Sequence, residues 1–166
     1  HKSMANLVSR NIFPEIVMER MLMETPIHSI DLVRALAGSD VTEVHSVVKR
    51  RFSNYNDVHA ALVLFENGCV AQISANYTTD TRLERYEIHG REISAYLEGI
   101  TKGKLVYDGT ERELTKDESD TQRAKDRHFL DCIRDDRSVE LPGANLDEAV
   151  KTMELAESIL AGLRED

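Results

Sequence analysis

From Pro26 to Gly38, apolar residues recur at helical spacing. Ile27, Ile30, Leu32, Val33, Leu36 and Ala37 cover most of the circumference. The stretch carries its own start and stop signals. Thr25 is placed to cap it, because a hydroxyl there accepts from a backbone N–H that has no helical partner. Pro26 follows at the first helical position, where its missing N–H costs nothing, and Gly38 stands where a left-handed cap is wanted. The one narrow polar lane holds His28, Asp31 and Ala35. A helix this apolar is buried on most sides, which places His28 and Asp31 in a crevice.

After Gly38 the period drops to two. Residues 41–52 read as a strand with Val44, Ser46 and Val48 on one side and His45, Val47 and Lys49 on the other. Residues 57–66 form a second, with Val58, Ala60, Leu62 and Leu64 facing one way. Asn67-Gly68 then turns the chain into a third, 69–77, with Cys69, Ala71, Ile73, Ala75 and Tyr77 on one face. Residues 83–89 and 93–98 meet around Gly90-Arg91-Glu92, and 104–108 and 111–114 around Asp108-Gly109. Such short connections demand an antiparallel meander. A helix over 121–135 offers Ala124, Phe129, Cys132 and Ile133 as core contacts. The last helix starts at Asn145, with Glu148 as its capping-box partner. Its apolar positions are Leu146, Ala149, Val150, Met153, Ala156 and Leu160. Upstream, Ile12, Phe13, Ile16, Val17, Met18, Met21 and Leu22 favour a helix after Asn11, with Pro14 tolerated only near its start.

The fold class that follows is α+β: an open, mainly antiparallel meander sheet with helices packed on one face. Its second face is not strongly polar, since His59, Ala61, Val63 and Phe65 line one side of the second strand. With helices on one side only, the other side suits a partner sheet, and a homo-oligomer is expected.

Composition narrows the function classes. The 166 residues make one domain with a substantial core. A net charge of −9 argues against nucleic acid or an anionic membrane surface as partner. No apolar run approaches the ~20 residues of a membrane span, and no signal peptide is visible. Cys69 and Cys132 lack metal-type or redox-pair spacing. They read as two buried thiols in a reducing, cytoplasmic compartment. The opening His1-Lys2-Ser3-Met4 reads as a tag remnant, leaving 5–166 as the domain proper.

No Gly-x-Gly-x-x-Gly or phosphate loop occurs, and no serine sits on a nucleophile elbow. No metal site is expected: Glu24 and His28 stand four apart, but no third ligand can be named. His28 and Asp31, three apart on one helix, are close enough to touch. In the first turn the helix dipole favours a neutral imidazole. A partly buried neutral imidazole beside a carboxylate is what proton transfer near neutral pH needs. The alternative is that Asp31 pairs with Arg34 and His28 is a satisfied buried histidine. The pattern leaves both readings open.

The segment Pro26-Ile27-His28-Ser29-Ile30-Asp31-Leu32-Val33-Arg34-Ala35-Leu36-Ala37-Gly38 resembles the helix opening the C-terminal domain of the Gfo/Idh/MocA oxidoreductases, the relatives of glucose–fructose oxidoreductase and inositol dehydrogenase. Asn67-Gly68-Cys69, His89-Gly90-Arg91-Glu92-Ile93, the "FxxxI" segment Phe129-Leu130-Asp131-Cys132-Ile133, and Leu141-Pro142 before the final helix agree in order and spacing. The resemblance covers roughly residues 20–163. It implies the substrate-binding and oligomerising half of an NAD(P)-dependent oxidoreductase acting on a sugar, cyclitol or nucleotide sugar. The Rossmann half, which holds NAD or NADP and the catalytic lysine, is absent from this chain. This chain alone is therefore expected to bind no cofactor and to be inactive. His28 corresponds to the catalytic histidine. Glu24 stands where the family normally has an aspartate, without the usual glycine-rich lead-in, and Asp31 matches the family's carboxylate three residues after the histidine, which orients it or caps local structure. Asn76, Tyr77, Thr78, Arg82 and Arg85 lie near the third-to-fourth strand turn, and Tyr77 and Arg82 are the candidate substrate contacts. The competing reading is a non-catalytic binding or scaffold module on the same frame, with His28 and Asp31 structural.

Overall fold

The computed structural model describes residues 19–77, 83–99, 101–115, 119–140 and 143–164. Most of the helix expected after Asn11, together with Thr78 and Arg82, lies outside them. In chain order the elements are a 3₁₀ turn Met21–Met23, α1 (Ile27–Ala37), β1 (Val41–Lys49), β2 (Val58–Phe65), β3 (Val70–Asn76), β4 (Arg85–Gly90), β5 (Ile93–Glu98), β6 (Lys102–Tyr107), β7 (Thr110–Thr115), α2 (Ser119–Arg134) and α3 (Leu146–Leu160). The class is α+β, as expected. The strands form two antiparallel sheets, β1-β2-β3 and β4-β5-β6-β7. Among the described residues no ladder joins β3 to β4, so the meander is interrupted there. Period-two patterning finds strands but does not say which edges meet.

The chain divides into two compact units, His1–Asp80 with Ala144–Asp166, and Thr81–Gly143. In the first, α1 and α3 cover one face of the three-stranded sheet. Leu22, Ile30, Leu155, Ala156 and Ile159 close over Ala61, Val63 and Phe65 of β2. Burying each of the larger aliphatic side chains is worth about 1.5–3 kcal/mol. The helix-covered face is therefore the His59/Ala61/Val63/Phe65 side, the side expected to stay open for a partner sheet. Neighbouring strands explain the choice. On that side β2 is flanked by Val44, Ser46 and Val48 of β1 and by Ala71, Ile73 and Ala75 of β3. The opposite face brings Glu43, His45 and Lys49 alongside Leu64, Leu62 and Val58, and Gln72 and Ser74 beyond them. An apolar patch three strands wide outweighs a face to which the flanking strands add just Val47 and Val70.

The turn chemistry holds. Gly38 takes φ +61° and its N–H reaches the Arg34 carbonyl. Asp108 and Gly109 both have positive φ (48° and 68°), the requirement of a type I′ hairpin between β6 and β7. Asn145 Oδ1 accepts the Glu148 N–H at 3.0 Å. Thr25 does not cap α1: Pro26 occupies the cap position, and the Thr25 hydroxyl donates to Glu24 instead. At the other end of the first unit, the N–H of Val48 donates to the Gly162 carbonyl (3.0 Å) and the N–H of Arg164 to the Val48 carbonyl (3.1 Å). The C-terminal tail thereby covers the outer edge of β1. Gly162 is required there, since a Cβ would run into the Ser46 backbone.

Two helices bury less than their patterns implied. On α3 the buried residues are Thr152, Leu155, Ala156 and Ile159, while Leu146, Val150 and Met153 are exposed. On α2, Cys132 is buried but Phe129 and Ile133 are exposed, as is Ala124. Cys132 Sγ lies 3.8 Å from His128 Nε2, and that ring meets the Glu140 carbonyl at 3.2 Å. Cys69 is an exposed free thiol, not a buried one, because β3 begins one residue later at Val70.

His59 is the least compensated group in the first unit. It is 1% exposed, and neither ring nitrogen meets a hydrogen-bond partner among the described residues. It packs edge-on against Tyr77, centroids 5.7 Å apart. Burial lowers its pKa from the ordinary 6.5, opposed in part by the Ala75 backbone and the Asp57 carboxylate. The unfolded chain therefore takes up this proton first as pH falls. Stability is lost from about pH 6.5 downward, until the folded-state pKa is passed. The Asp40 carboxylate, lowered by Lys151, loses its contribution from about pH 5 downward, beneath that window. The urea midpoint should fall between pH 7 and pH 5, and His59→Leu should flatten the slope. Equal slopes in the two proteins would show that His59 is not the group responsible.

Candidate functional site

α1 presents two sides. Ile30 and Arg34 are buried, whereas His28, Ala35 and Leu36 are exposed and Asp31 is half-buried. Arg34 is the anchor. Its Nη1 donates to the Glu148 carbonyl (2.9 Å) and to Thr152 Oγ1 (3.0 Å), and its Nη2 to Glu148 Oε2 (2.9 Å). The Thr152 hydroxyl lies 2.9 Å from Asp31 Oδ1 and 3.0 Å from the Glu148 carbonyl, and has one proton to donate between them. Asp31 and Arg34 thus both engage α3, and the alternative Asp31–Arg34 pair gives way to a network through Thr152. Beside it, Lys151 bridges to Asp40 at 2.6 Å, which lowers the Asp40 pKa and raises that of Lys151.

His28 lies in the first turn of α1 and is exposed, not held in a crevice. The core side of the helix runs through Ile30, Arg34 and Ile27, and His28 points away from it with Leu32, Ala35 and Leu36. Its ring meets no hydrogen-bond partner among the described residues. Asp31 spends one oxygen on Thr152, so its first task is holding α1 against α3.

The lead-in to α1 is held separately. The Tyr77 hydroxyl donates to the Met21 carbonyl at 3.0 Å, and the ring is buried. Burial, with the nearby Glu24 carboxylate, pushes the Tyr77 pKa far up and keeps the phenol protonated as a donor. Glu24 is exposed and accepts from Thr25. Tyr77 and Glu24 are therefore neighbours in the first unit, with Tyr77 holding the lead-in to α1. Arg82 lies outside the described residues.

Sequence reasoning missed the network that joins Arg34 to Thr152 and Glu148. A signal existed: an arginine on the core side of an apolar helix, and a threonine inside the apolar stripe of α3. The turn before β2 was missed too. There the buried Asp57 carboxylate accepts the N–H groups of Arg51 (2.8 Å) and Phe52 (2.7 Å).

α1 opens on Pro26 without a glycine turn, and the α3 N-cap is satisfied internally by Asn145. No helix among them is long and apolar enough to cross a membrane.

Comparison with known proteins adds the following. The family description "GFO/IDH/MocA C-terminal domain" matches residues 9–96. No curated protein sequence matches the chain. Among solved structures, UDP-N-acetylglucosamine 3-dehydrogenase from Acidithiobacillus ferrooxidans is 19% identical with a TM-score of 0.77, over 91% of this chain and 50% of that one. Aldose-aldose oxidoreductase from Caulobacter crescentus is 22% identical with a TM-score of 0.72, over 85% and 44%. Levoglucosan dehydrogenase, in complex with NADH and levoglucosan, is 16% identical with a TM-score of 0.71, over 84% and 47%. At these identities the likeness is one of fold, and the chain spans about half the length of each.

If Arg34 is what holds α1 on α3, Arg34→Ala should lower stability by about 2 kcal/mol in urea denaturation. The figure is set below that of a fully buried ion pair because Glu148 is half exposed and rehydrates. Arg34→Lys should recover only part, since an ammonium cannot reproduce the fork. A loss under about 0.5 kcal/mol, the range of ordinary surface substitutions, would remove Arg34 from this role.

Proposed function

Since this chain belongs to the Gfo/Idh/MocA family through its C-terminal-domain segment, we propose that it is the substrate-binding and oligomerising half of an NAD(P)-dependent oxidoreductase. The substrate class is a sugar, cyclitol or nucleotide-sugar hydroxyl. The carrying observation is the placement of His28: an exposed imidazole among apolar neighbours, on a helix locked from behind by Arg34, Asp31 and Thr152. A proton acceptor must be open to the substrate and immobile in its backbone, and this position is both.

In this reading His28 takes the proton from the hydroxyl being oxidised and returns it in the reverse direction. Asp31 acts as a positioning residue through α1. Glu24 contributes negative charge at the rim, and Tyr77 holds the Met21–Glu24 backbone beneath it. Arg82 is the proposed cationic contact to the substrate. NAD or NADP is assigned to the remainder of the full-length protein, and this chain alone binds neither. The name of the Acidithiobacillus relative supports a nucleotide sugar, and those of the aldose and levoglucosan enzymes a simple sugar. The homo-oligomer is assigned to the open face of the three-stranded sheet, where Val47, Leu62 and Val70 are exposed. The unbridged thiols fit a cytoplasmic location.

The test is made in the full-length protein. NADH or NADPH should bind it saturably by nicotinamide fluorescence and should not bind this chain. In the full-length enzyme His28→Ala should lower kcat by about 10²–10⁴ while leaving dinucleotide affinity unchanged. Saturable binding to this chain, or full activity in His28→Ala, would overturn the assignment.

A further inference from the structure

The connection between β1 and β2, residues 50–57, is an anchored loop. Asp57 is fully buried, and its two carboxylate oxygens accept the N–H groups of Arg51 (2.8 Å) and Phe52 (2.7 Å). Burying a carboxylate is costly unless it is hydrogen-bonded, and here the bonds fix two consecutive amides of the loop. Asn56 Nδ2 ties the loop to the Glu19 carbonyl (3.0 Å), and the Arg50 guanidinium is held by Glu19 and Asn56. Arg51 and Phe52 are left pointing outward. Arg51 is exposed and finds no such partner among the described residues, and Phe52 is 68% exposed. A backbone fixed in this way has little ordering entropy left to lose when its side chains take a ligand.

The loop lies at the His28 end of the first unit. Asn67 Nδ2 donates to the Ala37 carbonyl at 2.8 Å, so α1 ends beside the β2–β3 turn and begins toward the other end of the strands. α3 agrees: Arg34 binds Glu148 near its start, whereas Arg20, ahead of α1, pairs with Glu157 near its end. By the period of two, Asp57 shares the helix-covered side of β2 with His59 and Ala61, so the amides it holds are drawn to that side. Between loop and helix runs the lead-in. The Tyr77 N–H donates to the Asp57 carbonyl and its hydroxyl to the Met21 carbonyl, both at 3.0 Å. The 3₁₀ turn Met21–Met23 alone advances about 6 Å. A molecule that touches both His28 and the loop is therefore longer than one sugar ring.

We propose that Arg51 and Phe52 form a nucleotide subsite: the guanidinium on the diphosphate, and the phenyl ring stacked on the base, of a nucleotide sugar whose sugar lies at His28. A guanidinium fork meets phosphate oxygens two at a time. An aromatic face accepts any base. In a chain of net charge −9, an anionic ligand needs a cation at the point of contact, and Arg51 supplies it. This deepens the enzymatic reading and rests on it for the sugar end alone, since the subsite lies wholly within the first unit.

Titration of the whole 166-residue chain with UDP, followed by amide chemical shifts, tests it, with glucose as the control. UDP should bind saturably and shift the amides of Arg51 to Asn54, and glucose at the same concentration should leave them in place. Phe52→Ala and Arg51→Ala should each weaken UDP binding at least about fivefold. Phe52→Tyr should keep it within about twofold, because the ring face is retained. Added salt should weaken binding, and less so in Arg51→Ala. Unchanged shifts across β1–β3 should show that these surface variants fold. Absence of saturable UDP binding, or binding that neither alanine variant weakens, would overturn the subsite and leave the His28 assignment to its own kinetic test. UDP binding on the loop beside a fully active His28→Ala enzyme would overturn the link to His28 instead.

Discussion

A guanidinium removed from water has to find hydrogen-bond acceptors in fixed directions, and Arg34 finds its acceptors on α3. That requirement sets more than a local contact. Apolar packing between α1 and α3 alone would tolerate sliding and rotation. The planar fork does not, because one Nη has to meet both the Glu148 carbonyl and Thr152 while the other meets the Glu148 carboxylate. Once Thr152 is held, Asp31 is held, and the rotation of α1 about its axis is determined. His28 projects outward as a consequence. The polar network inside the first unit thus acts on the candidate site by orientation, without touching whatever His28 touches.

Much of this was legible in the sequence. The α+β class, the strand order within each sheet and the caps at Gly38 and Asn145 follow from local rules, because turns and helix ends are decided by residues a few positions apart. The choice of covered face was not legible. β2 has two apolar faces, and which one the helices take depends on residues of β1 and β3 that alternate in step with it. The same holds for α3, whose Leu146/Val150/Met153 stripe looks like core in a helical projection but lies outside. Periodicity counts apolar faces. It does not rank them.

At the site the division is similar. His28 and Asp31 stand out as the polar lane of an apolar helix, and the structure keeps them on one side of the core. Their separation into an exposed ring and a half-buried carboxylate needed α3, 121 positions away at Thr152. Tyr77 stood out as a polar group near a strand end, but its hydroxyl turns inward to Met21. Arg34 was visible only as a possible partner for Asp31. In each case the residue type was readable and the partner was not, since the partners come from the far end of the chain.

That distance has a consequence for how the protein is made. The first unit is assembled from both ends of the chain, with the second inserted between them. The second unit pairs its strands through tight local turns and can form as soon as it is synthesised. The three-stranded sheet can also pair early, but Leu155, Ala156 and Ile159, and the tail that pairs with Val48, arrive last. Ile73 and Leu155 are separated by about 80 positions, which at ~5–20 residues per second is roughly 4–16 s of synthesis. For that interval the Ala61/Val63/Phe65 face has only the earlier chain around Leu22 and Ile30 to cover it and lacks its α3 half. The order of translation, rather than the finished fold, is where this domain is most exposed to aggregation and most in need of a holding chaperone.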